Sequence, residues 1–324
     1  MALILDMQTD FVDNDVEIAM ANAAGIDFKR VLGRTPQAAI EHLSATGADG
    51  VITSYTPFTR EVFEACPNLK VVSRTGVGFD EIDVQAATEH GVAVCNVPGY
   101  GTEVVSDHAI ALAMAVLRRI NQMDADMRNG IWDHHRVLPL GQAHGRTFGV
   151  VGMGEIGRAT ARKANGMGFN VVCCSHSLKP GRRTPEGYPI LALDELLETA
   201  DVVSLHTALN ADTHHLINRE RLAKMKDGAV LVNTSRGPVV DTLALADALE
   251  KGKLWGAGID VFEEEQPFDF GHPIMKAPNT VFTPHASYCS TESIQELRTR
   301  TMQAAIDVVQ GRRPVDCLNS QVFE

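Results

Sequence analysis

The stretch VLVNTSRGPVVD (residues 230–241) runs from a mostly apolar segment straight into Thr234, Ser235, Arg236 and a glycine. A guanidinium is costly to desolvate unless something anionic meets it. An arginine at the end of a buried strand therefore either swings out to water or waits for a negatively charged ligand. A second chemical signal lies upstream. VGMGEIG places Gly152, Gly154 and Gly157 in G-x-G-x-x-G order, after an apolar strand pattern and at the opening of the helix EIGRATARKANGMG. In that setting Gly152 permits the tight turn, Gly154 lets the backbone approach a pyrophosphate, and Gly157 lets helix pack on strand. The helix N-terminus adds N–H groups and a favourable dipole for phosphate.

An acidic residue about 20 positions further on would grip the adenosine ribose and mark NAD. Here VVCCSHS supplies Ser175, His176 and Ser177 instead, and LKPGRR follows with Lys179, Arg182 and Arg183. Small hydroxyls and cations suit a 2′-phosphate, so the expected cofactor is NADP. NAD is the alternative, with the basic run a solvated loop.

These residues need strands and helices to position them. Short apolar runs at GVIT (50–53), LKVVS (69–73) and VAVCNV (92–97) read as buried strands, with DVQAATEH (83–90) helical between the last two. This is βαβ logic and a parallel sheet. GTEVVSDHAIALAMAVLRRINQ (101–122) reads as one long helix, apolar on much of its circumference, to be covered by a second domain or a partner chain. A second alternation opens at RTFGVVGMG (146–154). Strands follow at NVVCC (170–174), DVVSLH (201–206), AVLVNT (229–234), WGAGID (255–260) and TVFTP (280–284), with helical patterns between the first four of these. STESIQELRTRTMQAAIDVVQG (290–311) is a last apolar helix. Pro98, Gly99 and Gly101 mark a crossing between domains near residue 100.

A chain of 324 residues exceeds one ordinary core, so two domains are expected. The net charge of −12, without a Lys/Arg cluster, argues against a nucleic-acid surface. Polar residues interrupt every apolar run short of a membrane span, and MALILDM at the start reads as a buried strand rather than a signal peptide. Cys66, Cys95, Cys173, Cys174, Cys289 and Cys317 are scattered without metal-ligand spacing, which points to a reducing, cytoplasmic setting. The pairs His134–His135 and His214–His215 are adjacent rather than four apart, so they make no helical metal face, no metal site is expected, and both read as exposed. Trp132 reads as an aromatic anchor at a domain or subunit contact.

Several long motifs, in order, resemble the D-isomer-specific 2-hydroxyacid dehydrogenase family: RTGVGFDEIDVQAATEHGVAVCNVPG, GVVGMGEIGR, MKDGAVLVNTSRGPVVDTLALADAL, GAGIDVFEEE and NTVFTPHAS. The resemblance implies an α/β chain with two Rossmann-like, doubly wound domains. Residues 1–100 plus 289–324 would form the substrate domain and 101–288 an inserted dinucleotide-binding domain, with an active site in the cleft between them and a homodimer as the assembly. It implies a catalytic trio of Arg236, Glu265 and His285. Arg236 would hold the substrate carboxylate in a forked pair. His285 would exchange a proton with the substrate oxygen. Glu265, five residues after Asp260, would fix the imidazole tautomer and stabilise its charged form; the alternative is that Glu263, Glu264 and Glu265 are an acidic run facing water. Asp260 would contact the nicotinamide carboxamide or cap a loop. The backbone around Gly76, Val77 and Gly78 would bind the carboxylate, and Tyr55 would face the substrate side chain. Coenzyme contacts would come from Gly152, Gly154, Glu155, Ile156, Gly157, Ser175, His176, Ser177, His206, Ala208, Thr213, Thr234, Ser235 and Asp260.

The departures from the family pattern carry information. Gln266 intervenes before Pro267, Ala208 stands where proline is usual, and Glu155 where a basic residue is common, so its charge must point away. Thr53 stands where relatives acting on 3-phosphoglycerate carry arginine, which disfavours a phosphorylated substrate unless Arg74 or a partner chain substitutes. The expected activity is NAD(P)-dependent interconversion of a small 2-oxo acid and its 2-hydroxy acid. TPHASYCSTES and VCNVP also resemble the branch containing the C-terminal-binding corepressors, so a dinucleotide-responsive binding protein is the alternative from another class, and a D-3-phosphoglycerate dehydrogenase the narrower one.

Overall fold

The computed structural model describes residues 1–265 and 267–324. Its contacts divide the chain into two compact units, Met1–Tyr100 with Ser290–Glu324, and Gly101–Cys289. The first unit alternates β1 (Leu3–Met7), α1 (Asp15–Ala24), β2 (Asp27–Val31), α2 (Pro36–Thr46), β3 (Gly50–Thr53), α3 (Arg60–Ala65), β4 (Val71–Arg74), α4 (Val84–Glu89) and β5 (Ala93–Cys95). The second holds α5 (Thr102–Leu117), α6 (Ile120–Arg128), β6 (Thr147–Val151), α7 (Glu155–Gly166), β7 (Asn170–Cys174), α8 (Leu193–Thr199), β8 (Val202–Leu205), α9 (Arg219–Lys224), β9 (Ala229–Asn233), α10 (Thr242–Glu250), β10 (Leu254–Ile259) and β11 (Thr280–Phe282). Helix α11 (Thr291–Val309) then returns to the first unit.

Both sheets are parallel, ordered β2-β1-β3-β4-β5 and β11-β10-β9-β8-β6-β7. The alternation of side chains along each strand gives every sheet two cores. In the first unit Leu5, Val51 and Val72 pack on one face with Leu43, Phe63 and Ala86, while Ile4, Ile52 and Val71 pack on the other with Ala21, Met302 and Ala305. In the second, Val203, Leu231 and Ile259 meet α8 and α10, and Val150, Val202 and Val232 meet α5 and α7. Burial on both faces explains why these strands read as unbroken apolar runs. Among the described residues, no helix is long and apolar enough to cross a membrane.

Two elements depart from the sequence reading. The expected single helix over 101–122 is two, because α5 stops at Leu117 and Arg119 takes a left-handed φ of 50° before α6 begins. The break has local causes. The Arg119 guanidinium lies 4.1 Å over the Trp255 ring, and the Asn279 side chain donates to Val116 O at the end of α5. The apolar circumference of α5 is covered within its own unit, by α7 and by the sheet. The other departure is β2, DFKRV, whose charged, largely exposed residues give no strand pattern; it is an edge strand, where charge is the usual protection against further pairing.

Helix α5 lies close on β10 because two strand positions lack a Cβ. One added at Gly256 would stand 2.3 Å from Asn279 O and 2.6 Å from Val116 Cγ1, and one at Gly258 would stand 2.7 Å from Leu112 Cβ. Gly256→Ala should therefore destabilise the protein by about 1–3 kcal/mol in urea unfolding. Gly166→Ala, at the end of α7 with nothing within 4 Å of the new methyl, should be neutral or stabilising by up to about 1 kcal/mol. Equal losses at both positions would show that close packing of α5 is not what the strand glycines provide.

Candidate active site

The order β7-β6-β8 reverses direction beside β6, and an open parallel sheet binds its ligands outside the strand ends at such a point. The chain there has the close approaches that a dinucleotide turn requires. Gly152 adopts φ 97°, and a Cβ on it would lie 2.4 Å from His206 O at the end of β8. A Cβ on Gly157 would lie 1.9 Å from Gly152 O, so only glycine lets α7 start this close to the turn. A Cβ on Gly154, which caps α7, would meet nothing within 4 Å, leaving the helix N-terminus open to an anion. Glu155 is exposed and accepts from Thr102 Oγ1 at 3.3 Å, which turns its charge toward the start of α5; half-buried Ile156 follows it.

At the end of β7 the hydroxyls of Ser175 and Ser177 lie 3.4 Å apart and His176 is exposed. The basic run splits. Arg183 donates to Gly187 O at 2.6 Å, within its own loop, whereas Lys179 and Arg182 are exposed. After β8, Thr213 Oγ1 donates to Ala208 O at 2.7 Å and ties that loop together. Thr207 Oγ1 and Thr234 Oγ1, just beyond β8 and β9, are buried and have no hydrogen-bond partner among the described residues. Buried orphaned hydroxyls at two neighbouring strand ends, beside an open glycine-capped helix, fit a bound polar coenzyme.

The opening question about Arg236 is one of loop geometry. Asn233, 1% exposed at the end of β9, accepts from Ser235 N–H and Oγ at 3.1 and 2.9 Å and donates to Arg236 O at 2.9 Å. Arg236 is thus held at the carboxyl end of a strand, half-buried, with Nη1 donating to Ser235 O at 3.0 Å. The next residue, Gly237, presses on the Phe262 backbone so closely that a Cβ would lie 1.9 Å from it, which fixes the Arg236 loop against the acidic loop.

That acidic loop is not a uniform solvated face. Glu263 accepts from Thr242 N–H at the start of α10 and pairs with His215 at 2.8 Å. Burial alone would raise its pKa, but these partners prevail and hold it below the usual carboxylate range. His215, read as exposed, is half-buried in this contact. Glu264 is exposed. Glu265 Oε2 lies 2.8 Å from His285 Nδ1, with the two side chains 30% and 21% exposed, so the ring donates from Nδ1 to the carboxylate. Gln266 lies outside the described residues.

His285 itself sits at φ 51°, a costly conformation for this residue. Asp260, fully buried, keeps it there. Asp260 O accepts from His285 N–H at 2.7 Å, and its carboxylate accepts from Ala286 N–H at 2.9 Å, Ser287 N–H at 3.0 Å and the Thr283 hydroxyl. His108 Nε2, on α5, reaches Thr283 Oγ1 at 3.0 Å. Of the two roles weighed for Asp260, the loop-holding one is the one these bonds express. Asn233, Thr283 and His108 were not singled out from sequence; each acts through the loop it orders, which only the fold reveals.

In the first unit, Gly76 adopts φ 147° above Arg74, whose Nη1 would lie 1.6 Å from a Cβ there. Val77 and Gly78 continue an exposed loop held by Asn96, which donates to Val77 O at 2.7 Å. The Tyr55 ring lies under the Arg34 guanidinium at 5.0 Å, and Arg34 pairs with Asp10 at 2.6 Å.

Comparison with known proteins decides the family. Residues 110–287, more than half of the chain, match the NAD binding domain of D-isomer specific 2-hydroxyacid dehydrogenases. The chain belongs to that family. It is 41% identical over 280 residues to a protein named glyoxylate reductase from Korarchaeum cryptofilum, covering 85% of this chain and 84% of the relative. Among solved structures it resembles D-lactate dehydrogenase from Aquifex aeolicus, complexed with NAD and lactic acid, at a TM-score of 0.86 and 27% identity over 98% and 99% of the two chains. It equally resembles an acyclic imino acid reductase in complex with NADPH and D-Arg, at a TM-score of 0.86 and 28% identity over 98% and 100%. As a 2-hydroxyacid dehydrogenase the protein is an oxidoreductase of the CH–OH group that uses a nicotinamide dinucleotide, NAD or NADP.

His206 gives the dehydrogenase a measurable acid sensitivity. Its Nε2 lies 2.9 Å from Ser204 Oγ, and desolvation draws its pKa down to about 4. The unfolded chain, with an ordinary imidazole, takes up this proton first as pH falls. The stabilising contribution is therefore complete above about pH 6.5 and is lost as pH falls toward 4. His206→Gln should flatten the acid side of the stability curve, by no more than about 3 kcal/mol between those limits. Parallel curves for variant and wild type would show that His206 ionises freely in the native state.

Proposed function

We propose that the protein is an NADPH-preferring reductase of a small, unphosphorylated 2-oxo acid of glyoxylate or hydroxypyruvate size. The observation that carries this reading is the His285–Glu265 pair, fixed at 2.8 Å on a loop whose backbone is locked by Asp260. Bound coenzyme supplies the hydride. His285 gives a proton from Nε2 to the substrate carbonyl oxygen, and takes it back in the direction of oxidation, while Glu265 holds the Nδ1 proton and stabilises the imidazolium. Arg236 binds the substrate carboxylate in a forked pair and polarises the 2-oxo group. In the first unit, the N–H groups of Gly76, Val77 and Gly78 serve as carboxylate donors and Tyr55 faces the substrate side chain.

The preference for NADPH is supported by the end of β7, where residues 175–177 are Ser, His and Ser rather than a carboxylate, and Lys179 and Arg182 are exposed. The exclusion of phosphate from the substrate rests on the first unit. Thr53 is 1% exposed and its hydroxyl accepts from Thr56 N–H, while Arg74 is buried in its own loop, donating to Thr75 O at 2.7 Å with Glu81 4.0 Å away. Neither offers a cation to a phosphoryl group. Exposed Ile120, Met127, Trp132 and Leu138 on and after α6 support a homodimer through this segment.

Initial rates with NADPH and NADH on glyoxylate, hydroxypyruvate, pyruvate, phenylpyruvate, 2-oxoglutarate and phosphohydroxypyruvate test the reading. NADPH should support at least about tenfold higher kcat/KM than NADH, a gap of about 1.4 kcal/mol, with glyoxylate or hydroxypyruvate the best acceptor. Preference for NADH would sink the cofactor assignment. Binding of both coenzymes without any turnover would make the chain a dinucleotide-responsive binding protein. Glu265→Gln should lower kcat by about 10²–10⁴-fold with little change in coenzyme binding. Arg236→Lys should lose most of kcat/KM through the acid, again with coenzyme binding retained. If either variant keeps wild-type turnover, that residue is not in the chemistry.

A further inference from the structure

Two of the cysteines that look scattered in the sequence meet in the fold. Cys95 ends β5, an edge strand of the first sheet, and Cys317 lies in the segment after α11 that runs back along that edge. The two residues pair antiparallel. The hydrogen bond beside them, Leu318 N–H to Val94 O at 2.8 Å, belongs to the neighbouring pair, so 95 and 317 occupy a non-hydrogen-bonded position. Opposed residues at such a position have Cα atoms about 4.5 Å apart with side chains on one face. That spacing falls inside the range of about 4.4–6.8 Å that a disulfide spans.

The surroundings hold both thiols in place. Asn319, fully buried, accepts from Val94 N–H at 2.8 Å and donates to Val92 O at 2.8 Å and Thr88 Oγ1 at 3.0 Å, which nails the segment to the end of the sheet. Cys317 Sγ donates toward Asn319 Oδ1 at 3.5 Å, and the bridge between the two segments sets Cys95 opposite it. Cys317 is partly exposed and Cys95 is fully buried. An accessible thiol with a buried thiol behind it is the arrangement of a reactive cysteine and its resolving partner. The Cys95 hydrogen bond also draws the Cys317 pKa down, favouring the nucleophilic thiolate, while the same contact and burial push Cys95 up.

We propose that Cys95 and Cys317 are a redox-active pair that closes to an intrachain disulfide when the protein meets a peroxide or a low-molecular-weight disulfide. With hydrogen peroxide, the Cys317 thiolate attacks one oxygen and becomes a sulfenic acid as the other oxygen leaves as water after protonation. Cys95 sulfur then displaces the sulfenic hydroxyl, its thiol proton leaving with that oxygen as a second water. Two thiols are oxidised by two electrons and one peroxide is reduced; with a low-molecular-weight disulfide the Cys317 thiolate displaces one thiol to form a mixed disulfide, and Cys95 then displaces the other, so one disulfide is reduced to two thiols. The bond would lock the returning segment onto β5 one residue before Asn96, whose side chain holds the Val77 loop. It would also keep the sheet edge covered for as long as the bond is oxidised.

The test uses the full chain, reduced and then exposed to hydrogen peroxide or to oxidised glutathione, alkylated, digested without reductant and mapped by mass spectrometry. The expected product is a single Cys95–Cys317 cross-link with the other cysteines still alkylated, reversed by dithiothreitol. Oxidation should raise Tm by several degrees, since the link closes a very long loop. Cys317→Ser, which leaves the buried strand residue in place, should lose both the cross-link and the rise in Tm; Cys95→Ala is the second variant. A link through Cys174 or Cys289 instead, over-oxidation or glutathionylation of Cys317 with Cys95 still alkylatable, or a rise in Tm that persists in Cys317→Ser, would each overturn the proposal.

Discussion

The site depends on one buried carboxylate. Asp260 ends β10 with no exposed surface and accepts hydrogen bonds from three groups of the 283–287 loop through its side chain, and from the His285 N–H through its backbone. Without these bonds a histidine would not remain at φ 51°, because the left-handed region costs a non-glycine residue of order 1–3 kcal/mol. The conformation is maintained because burying Asp260 unpaired would cost more. His285 is therefore aimed by an interaction in which its own side chain takes no part, and Glu265 then has only to select the tautomer.

A second constraint joins this loop to Arg236. Gly237 lies against the Phe262 backbone at a distance no side chain could occupy, and Asn233 folds the intervening turn around its own amide. The guanidinium thus lies beyond the end of β9 and the imidazole beyond the end of β11, on a loop that Asp260 ties to the end of β10, the strand that pairs with both. In the proposed reaction, groups held this way leave little reorganisation for the chemical step.

Much of this was legible in the sequence, for physical reasons that differ by element. Strands buried on both faces announce themselves as apolar runs, so β3, β6, β8 and β9 were plain, and the glycine turn was plain because each of its glycines answers a steric demand visible in the motif itself. The edge strand β2 was invisible because an edge is protected by charge rather than by burial. The break between α5 and α6 was hidden because its cause, Trp255 beneath Arg119, is far away in sequence. Glu263, Glu264 and Glu265 look alike as letters, and only the tertiary partners His215, water and His285 give them three fates. Roles carried by long-range contacts, such as those of Asn233, His108 and the Cys95–Cys317 pair, have no local signature to read.

The two units share one topology up to the fifth strand, yet the chain equips only one of them for a dinucleotide, and the first loop of each shows why. In the second unit the turn after β6 is glycine-rich, and the helix it feeds opens at Gly154 with free space before it. In the first unit the equivalent turn after β1 is already occupied by the protein's own anion. Asp6, fully buried, accepts from Thr9 N–H at 2.8 Å, from Thr9 Oγ1 at 2.9 Å and from Asn14 at 2.8 Å, with Arg30 at 3.7 Å. The turn's own donors, Thr9 and Asn14, are thus taken up from within, and the first turn of α1 carries Asp15 and Glu17. A buried carboxylate held in this turn meets an approaching phosphate as a like charge. The duplicated sheet is thereby divided into a unit that can take the dinucleotide and one whose strand ends are left for other work.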